Sequence, residues 1–436
     1  MERNTYCDEI VRKAIPLENI NDLTPLIDSI KNKKIVMLGE SSHGTKEFYE
    51  WRTLISKELI MNHGFNFISI EGDWPPSQKI NRFISHEEGI NAYQVLLNFS
   101  RWPTWMWANY EMVDLIEWLK EFNRTKLDPI GFYGLDVYSL YESIDQVIAQ
   151  LTKIDTSLAA KATHYYSCFN SYRHDEKAYA RSLFNVHEGC KKQVINALND
   201  TLNYKLHQYS EKKDYLFDAV QNARIVCNAE NYYRAMIFGE QDSWNVRDNH
   251  MMDTLAMLLN TYGPESKGIV WEHNTHIGDY KATDMVKDGQ INIGGLAREI
   301  YGEENVSLVG FSTFQGSVTA SSGWDGPINR IEIPAGKKGS VEAELHDAIP
   351  QVGSPNYYLM FNNESEFSPL KEMRGHRAIG VVYHPNSEQR GNYVPTNLAE
   401  RYDALIYLDE TTAINPLAAE IDHKKIPETY PYGARI

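Results

Sequence analysis

Apolar runs that alternate with helical patterns dominate the first third of the chain. Residues 34–38 form an apolar run that stops at a Gly-Glu-Ser-Ser-His-Gly segment, residues 39–44. Residues 45–61 then carry apolar side chains at helical spacing, and a second apolar run, residues 67–70, ends at Glu71. Short apolar runs bounded by turn residues are typical of buried strands. The pattern predicts a strand–helix–strand crossover, whose two strands are parallel.

Similar runs continue along the chain. Residues 74–83 and 110–122 have helical periodicity, and an apolar run at 130–135 ends at Asp136. Five later apolar runs predict further strands. They lie at residues 268–272, 306–311, 357–361, 378–383 and 404–408.

Residues 138–262 interrupt this alternation, because they show helical patterning and contain no proline. We therefore predict an α/β fold: a mixed, mostly parallel central sheet flanked by helices, with a large helical insertion that forms a wall of a crevice. Residues 1–137 and 263–436 would supply the two α/β parts of the sheet. We expect the insertion to govern ligand choice rather than any chemical step, and residues 312–339, rich in Gly and Ser, to form a loop region at the crevice rim.

Ionisable residues follow several of the predicted strands, close to the end of each. They are Glu40 and His43, Glu71 and Asp73, Asp136, His273 and His276, and His384. Because the carboxyl ends of parallel strands meet at one edge, where open α/β sheets bind ligands, we expect these side chains to share a crevice. Asp is also a common helix cap, so Asp73 and Asp136 have that alternative, and His273 could be a hydrogen-bonded core histidine.

These residue types suit a hydrolase that activates water. A histidine such as His43 supplies a base near neutral pH. Glu40 or Glu71 could fix its tautomer and stabilise its protonated form. Arg52 lies on the predicted helix 45–61 and could meet a developing oxyanion, or else form a surface salt bridge on its own helix.

Three other functions compete with this interpretation. A serine nucleophile is disfavoured, because the chain has no Gly-x-Ser-x-Gly elbow. A metallohydrolase could use the same histidines and glutamates, although no HExxH, HxxEH or HxH spacing occurs. A non-enzymatic protein could use the same pocket to bind a haem-like or polyketide ligand.

Three segments together resemble the erythromycin esterase family: residues 39–44, residues 70–74 (Ile-Glu-Gly-Asp-Trp) and residues 272–279 (Glu-His-Asn-Thr-His-Ile-Gly-Asp). The resemblance extends over nearly the whole chain and includes the Arg247–Asp248 pair. It implies a metal-independent, cofactor-free hydrolase that opens macrolide lactones, as in antibiotic resistance, although the true substrate could differ. It also implies a general base with further site residues around the reacting water and carbonyl. These are His43 as the base, and Glu40, Arg52, Glu71, His273 and His276.

Residues 101–107 contain three tryptophans, which would make a broad apolar wall for a bulky ligand. We predict that Trp102 and Trp105, together with Asp73 and Asp136, contact the substrate. A core cluster is the alternative for the tryptophans. We expect residues 247–248 to cap and orient a helix that begins near residue 249, with lining of the site as the lesser alternative.

Composition narrows the setting further. The 436 residues are 42% hydrophobic and 23% charged, as in ordinary globular proteins. A net charge of −16 argues against nucleic acid or anionic membrane as a partner. Four scattered cysteines predict reduced thiols rather than disulfides, and no apolar run approaches a membrane span. The start lacks the apolar core of a signal peptide. We therefore expect a cytoplasmic protein. The family resemblance implies a small-molecule ester or lactone as its partner, and the oligomeric state, monomer or homodimer, stays open.

Overall fold

The computed structural model describes residues 5–86, 90–172, 174–185, 188–207, 213–239, 242–361, 365 and 367–427. Its strands are β1 (Ile15–Pro16), β2 (Ile35–Leu38), β3 (Phe67–Asp73), β4 (Gly131–Asp136), β5 (Gly268–Trp271), β6 (Val306–Ala320), β7 (Asn329–Ile333), β8 (Asn356–Met360), β9 (Arg374–Arg377), β10 (Tyr393–Thr396) and β11 (Ala404–Thr411).

The helices before the helical interval are α1 (Thr5–Lys13), α2 (Thr24–Ile30), α3 (Lys46–His63), α4 (Trp74–Ile84), α5 (Ala92–Leu96) and α6 (Tyr110–Asn123). The interval contains α7 (Leu140–Ile154), α8 (Thr156–Tyr166), α9 (Glu176–Ser182), α10 (Lys191–His207), α11 (Lys213–Phe238) and α12 (Ser243–Tyr262). The remaining helices are α13 (Asn274–Ile277), α14 (Ile293–Tyr301), α15 (Val341–Val352), α16 (Glu388–Gly391) and α17 (Leu398–Arg401).

A mixed sheet of nine strands runs through the described chain in the order β1-β8-β11-β6-β2-β5-β3-β4, with β7 paired to β6. The strands from β11 to β4 are parallel, and β1, β7 and β8 pair antiparallel with their neighbours. The predicted α/β fold with a mostly parallel sheet is therefore confirmed. One detail differs: β5 lies between β2 and β3, so these two parallel strands are not neighbours.

Both faces of the sheet are covered, as the near-continuous apolar character of its strands requires. In β2, Val36 and Leu38 belong to a core cluster that includes residues of α3 and α6. Ile35 and Met37 point to the other face and belong to a cluster with α12, α14 and α15. The alternation of side chains along a strand produces this division. Its result is a rigid parallel edge from which the loops after β2, β3 and β5 emerge together.

The helical interval between β4 and β5 has its own core. In it the structure joins Cys168 and Cys190 in a disulfide, so the prediction of reduced thiols is wrong for this pair. The spacing of the cysteines along the chain does not reveal this pairing. Tertiary packing brings the two Cα atoms to 6.0 Å, although the residues are 22 positions apart in the sequence. Every helix in the described part of the chain is too short or too polar to cross a bilayer.

Two predictions between β6 and β10 are wrong. Residues 378–383 form no strand, and their β pairing within the described chain is limited to the isolated bridges Ser42–Ile379 and Ser321–Val382. Every second side chain of this segment is buried, although the segment lies outside the sheet. Residues 312–339 are not one loop, because β6 continues to Ala320 and pairs with β7. Ladder hydrogen bonds to β7 and β11 override the weak strand preference of Gly and Ser there.

Candidate active site

The turn after β2 brings His43 under the edge of the sheet. Glu40 follows the strand, and the turn ends where α3 begins at Lys46. A Cβ atom on Gly44 would lie 1.9 Å from the Thr319 carbonyl oxygen, so only glycine allows this close approach to β6. The backbone therefore fixes the position from which the imidazole projects.

Glu40 holds the imidazole of His43 on one side and Arg52 on the other. His43 Nδ1 lies 2.9 Å from Glu40 Oε1, and Arg52 Nη2 donates to Glu40 Oε2 at 2.6 Å. The fully buried Arg52 guanidinium lies between the rings of Tyr49 and Trp271, at 4.5 and 4.7 Å from their centroids. The inward orientation of Arg52 is thus confirmed. No described residue hydrogen-bonds to His43 Nε2, and His43 lines a cavity.

Glu71, near the end of β3, is a second buried carboxylate of the site, and hydrogen-bond donors and positive groups surround it. Arg247 Nη2 donates to its Oε1 at 2.7 Å, and the backbone N–H of His273 donates to its Oε2 at 2.9 Å. His276 Nε2 lies 3.4 Å from Oε1. Burial would raise the pKa of Glu71, but the charges of His276 and Arg247 hold it well below its usual range. Glu71 is therefore ionised at neutral pH.

His276 is paired with Asp248 of α12. Its Nδ1 lies 2.9 Å from Asp248 Oδ1, and its ring stacks on Trp244 with centroids 4.3 Å apart. Burial opposes protonation, but Asp248 and Glu71 outweigh it and raise the pKa of His276 to about 10. In this charged form Nε2–H has Glu71 as its acceptor. The 3.0 Å approach of Arg247 Nη1 to Nε2 would be a hydrogen bond only to the neutral ring, and two carboxylates against one guanidinium favour the charged form.

His273 is the N-cap of α13: its Nδ1 lies 2.8 Å from Thr275 Oγ1 and accepts from the backbone N–H of Thr275 at 3.3 Å. With Nδ1 as acceptor the ring proton is on Nε2, which interacts with the Ser41 carbonyl but makes no hydrogen bond of normal geometry within the described residues. Burial lowers the pKa of His273 well below its usual range, so the ring is neutral. Its centroid lies 4.8 Å from that of His43. A neutral imidazole thus lies next to the His43 ring.

A cavity of about 350 Å³ connects these groups. Its polar side contains the site residues already described, and its remaining lining is aromatic or aliphatic except for Ser243. The lining residues are His43, Glu71, Tyr138, Tyr232, Ser243, Trp244, Arg247, His273, Thr275, His276, Trp324, Ala378, Gly380, Val381, Val382, Gly391 and Val394.

The structure brings together the six residues predicted to be catalytic, but it places the predicted substrate-binding residues elsewhere. Asp136 accepts from Arg247 Nε and Nη2, at 2.9 and 2.6 Å, beneath the site. Asp73 accepts from Arg101 at 2.7 Å and does not line the cavity. Trp102 and Trp105 are buried in the core, so the prediction that they form a wall of the cavity is wrong. Of the two, Trp102 packs against the cavity residue Trp324, with ring centroids 5.5 Å apart. His384 is exposed.

Arg247 and Asp248 were predicted chiefly to cap a helix, with lining of the site as the lesser alternative. The helix α12 begins at Ser243 with Asp242 as its cap, so the expected capping role near residue 249 is wrong. Both residues lie on the buried face of α12, one helical turn before Met251 and Met252. A charged pair on the apolar face of a helix is the sequence signal that could have identified them, because buried charges must be paired.

Metal ligation is poorly suited to this arrangement. Among the residues that the structure describes, no group of three or more His, Cys, Asp or Glu side chains is placed to hold a metal ion. Glu40 and Glu71 each bind a guanidinium, and Asp248 is paired with His276 Nδ1.

Comparison with known proteins shows the family of the chain. Residues 60–411 match the erythromycin esterase family. The chain belongs to that family. It is 22% identical to erythromycin esterase type II of Escherichia coli over 386 residues, which cover 80% of this chain and 86% of the relative. It is also 22% identical to the putative hydrolase YbfO of Bacillus subtilis (strain 168) over 431 residues, which cover 92% of this chain and 90% of the relative.

The fold agrees with that membership. A solved structure of an erythromycin esterase EreC mutant in its open conformation matches with a TM-score of 0.64 at 17% identity, covering 93% of this chain and 97% of that one. The resemblance read from the three sequence segments is therefore confirmed at the family level. Membership in the erythromycin esterase family supports a hydrolase that acts on a small molecule.

Proposed function

We propose that this protein hydrolyses carboxylic esters or lactones with a water molecule that His43 activates. One observation carries the proposal: Glu40 occupies His43 Nδ1, while Nε2 has no partner among the described residues and belongs to a cavity wall. An imidazole oriented by a carboxylate, with its second nitrogen available, is the arrangement of a general base.

The chemical steps follow from these positions. The water oxygen attacks the ester carbonyl carbon while His43 Nε2 takes one water proton, and Glu40 stabilises the imidazolium that forms. The tetrahedral intermediate then collapses, its carbon–oxygen bond to the alcohol breaks, and the imidazolium returns the proton to the leaving alkoxide. Arg52 keeps Glu40 oriented throughout.

The oxyanion needs hydrogen-bond donors or positive charge. We assign the first role to His273, whose Nε2 makes no hydrogen bond of normal geometry within the described residues. His276 and Arg247 add positive charge on the same side, and Glu71 holds all three groups in place. Removing one such donor typically costs about 10²–10³-fold in rate.

We also propose that hydrolysis needs no metal. A cation at the histidines would have to displace Arg52 from Glu40 or Arg247 from Glu71, at 2.6 and 2.7 Å. Each displacement would leave a buried guanidinium without its carboxylate, which is strongly unfavourable.

A screen of purified protein against short esters, medium-ring lactones and macrolide lactones, with and without a chelator, tests both proposals. We expect turnover of at least one class and no loss on chelation. Activity that chelation abolishes and one added metal restores would instead support the metallohydrolase. Ligand binding without any turnover would support a non-enzymatic pocket protein.

A further inference from the structure

One side of the cavity has no part in the proposed chemistry. We call it the apolar wall, and it consists of Trp324, Ala378, Gly380, Val381, Val382, Gly391 and Val394. It contains no ionisable residue, whereas the other lining residues include the three histidines, Glu71 and Arg247. A charged group against this wall would lose its water without gaining a partner.

The backbone fixes the apolar wall relative to His43. Ile379 N–H donates to the Ser41 carbonyl at 2.8 Å, in the same turn that carries the imidazole. Ser321 N–H donates to the Val381 carbonyl at 3.0 Å, and Tyr383 N–H donates back to the Ser321 carbonyl at 2.9 Å. The wall is thus tied both to the catalytic turn and to the end of β6.

Gly380 leaves space in this wall. A Cβ atom built on Gly380 meets no atom within 4 Å, and the residue does not have the left-handed backbone that would require glycine. The same holds for Gly391 at the exposed rim. Close packing therefore requires neither glycine. A larger side chain at either position would instead reduce the volume of the cavity. That volume, about 350 Å³, equals the liquid volume of roughly a dozen water molecules.

We propose that the apolar wall binds a compact, uncharged hydrocarbon group of the substrate, and that Gly380 sets the size limit of that group. The assignment of this group to an ester or lactone rests on the proposed hydrolase function. The wall itself determines which ligand enters, whether or not the ligand is cleaved.

A matched set of variants tests this proposal. The variants are Gly380→Ala, Gly380→Val and, as control, Gly323→Ala. Gly323 also has open space at its Cβ and no left-handed backbone, but it does not line the cavity. The substrates are the p-nitrophenyl esters of acetate, butyrate and hexanoate, with the negatively charged hemisuccinate as the counterpart of butyrate. Calorimetric titration with 2-heptanone, which cannot be hydrolysed, measures binding separately.

For the wild type we expect kcat/KM to rise roughly fourfold for each methylene buried. The hemisuccinate should be cleaved at least about tenfold less efficiently than butyrate. Gly380→Val should reduce hexanoate cleavage by about 10–200-fold and weaken 2-heptanone binding, with acetate little affected. Gly380→Ala should have a smaller effect in the same direction, and Gly323→Ala should match the wild type.

Other outcomes separate the two proposals. If no ester is cleaved but 2-heptanone binds to the wild type and not to Gly380→Val, the hydrolase proposal fails and the inference about the wall stands. Equal losses on all esters in Gly380→Val, an equal effect of Gly323→Ala, equal use of hemisuccinate and butyrate, or no binding of 2-heptanone would each overturn the inference.

Discussion

His43 differs from His276 because one of its ring nitrogens remains available within the described chain. Its Nδ1 is 2.9 Å from Glu40, whereas His276 has Asp248 at Nδ1 and Glu71 at Nε2. At this scale we predict that His43→Ala lowers kcat by about 10²–10⁴-fold, the share of a general base. Steady-state kinetics on a confirmed ester measures the loss. Circular dichroism should show an unchanged fold, because the side chain lines a cavity.

Ser41 and Ser42 provide the matched controls for His43. Both are fully buried, and Ser42 Oγ is bonded to Thr45 Oγ1. Neither lines the cavity, so Ser41→Ala and Ser42→Ala should retain turnover within about threefold, since they remove no group that the proposed general-base step uses. A trapped acyl-serine, or a serine variant as inactive as His43→Ala, would contradict activation of water by His43.

Strand-end residues could be predicted from sequence, because the end of a short apolar run marks the end of a strand. The carboxyl ends of parallel strands then lie at the same edge of the sheet. This reasoning found Glu40, His43, Glu71, His273 and His276. It misplaced Trp102 and Trp105, because aromatic clusters have the same pattern in a core and in a cavity wall. The pairing of Glu40 with His43 rather than Glu71 depends on side-chain distances, which sequence does not contain.

At the scale of elements, α12 contributes more than the sequence analysis expected of the helical interval. Its Arg247 contacts Glu71, Asp136 and His276, so we predict that this interval affects the chemical step as well as ligand choice. Arg247→Lys keeps the charge but loses the bidentate geometry. We expect kcat to fall by about 10–100-fold on every ester with a smaller change in KM, since the charge near the oxyanion shifts.

Arg181→Lys is the control for Arg247→Lys, because Arg181 is an exposed arginine of the same interval. It should behave like the wild type. A change in KM alone that differs between esters, with kcat unaffected, would show that α12 only selects ligands. Thermal unfolding of both variants distinguishes a kinetic effect from partial loss of structure.

Secondary-structure elements, like site residues, could be predicted only where the local sequence pattern determines them. The crossover from β2 through α3 to β3 follows from periodicity and from Gly64, which ends α3 in the left-handed conformation. Residues 378–383 alternate as a strand would, but no neighbouring strand is placed to pair with them. Ladder partners come from tertiary structure, which explains both this error and the unpredicted length of β6.

At the scale of the whole molecule, a buried charge network joins the helical interval to the sheet. It runs from Asp248 through His276 to Glu71, and from there through Arg247 to Asp136. Its members come from β3, β4, α12 and α13, so the network contributes to folding and to the site together. Removing one partner of a buried ion pair costs about 3–5 kcal/mol, because the remaining charge stays buried without its partner.

The last prediction concerns the pH dependence of the free energy of unfolding. The folded pKa of His276, about 10, lies above the value of an unfolded histidine, so the protonated ring stabilises the folded state. This contribution is complete below about pH 6.5 and is lost as the pH rises to 10, with a slope of up to ~1.4 kcal/mol per pH unit. We therefore expect the stability difference between wild type and His276→Gln, measured by urea unfolding, to shrink across this window. The difference for the exposed His384→Gln should stay constant, and a His276→Gln difference that does not change between pH 7 and 10 would contradict a charged His276.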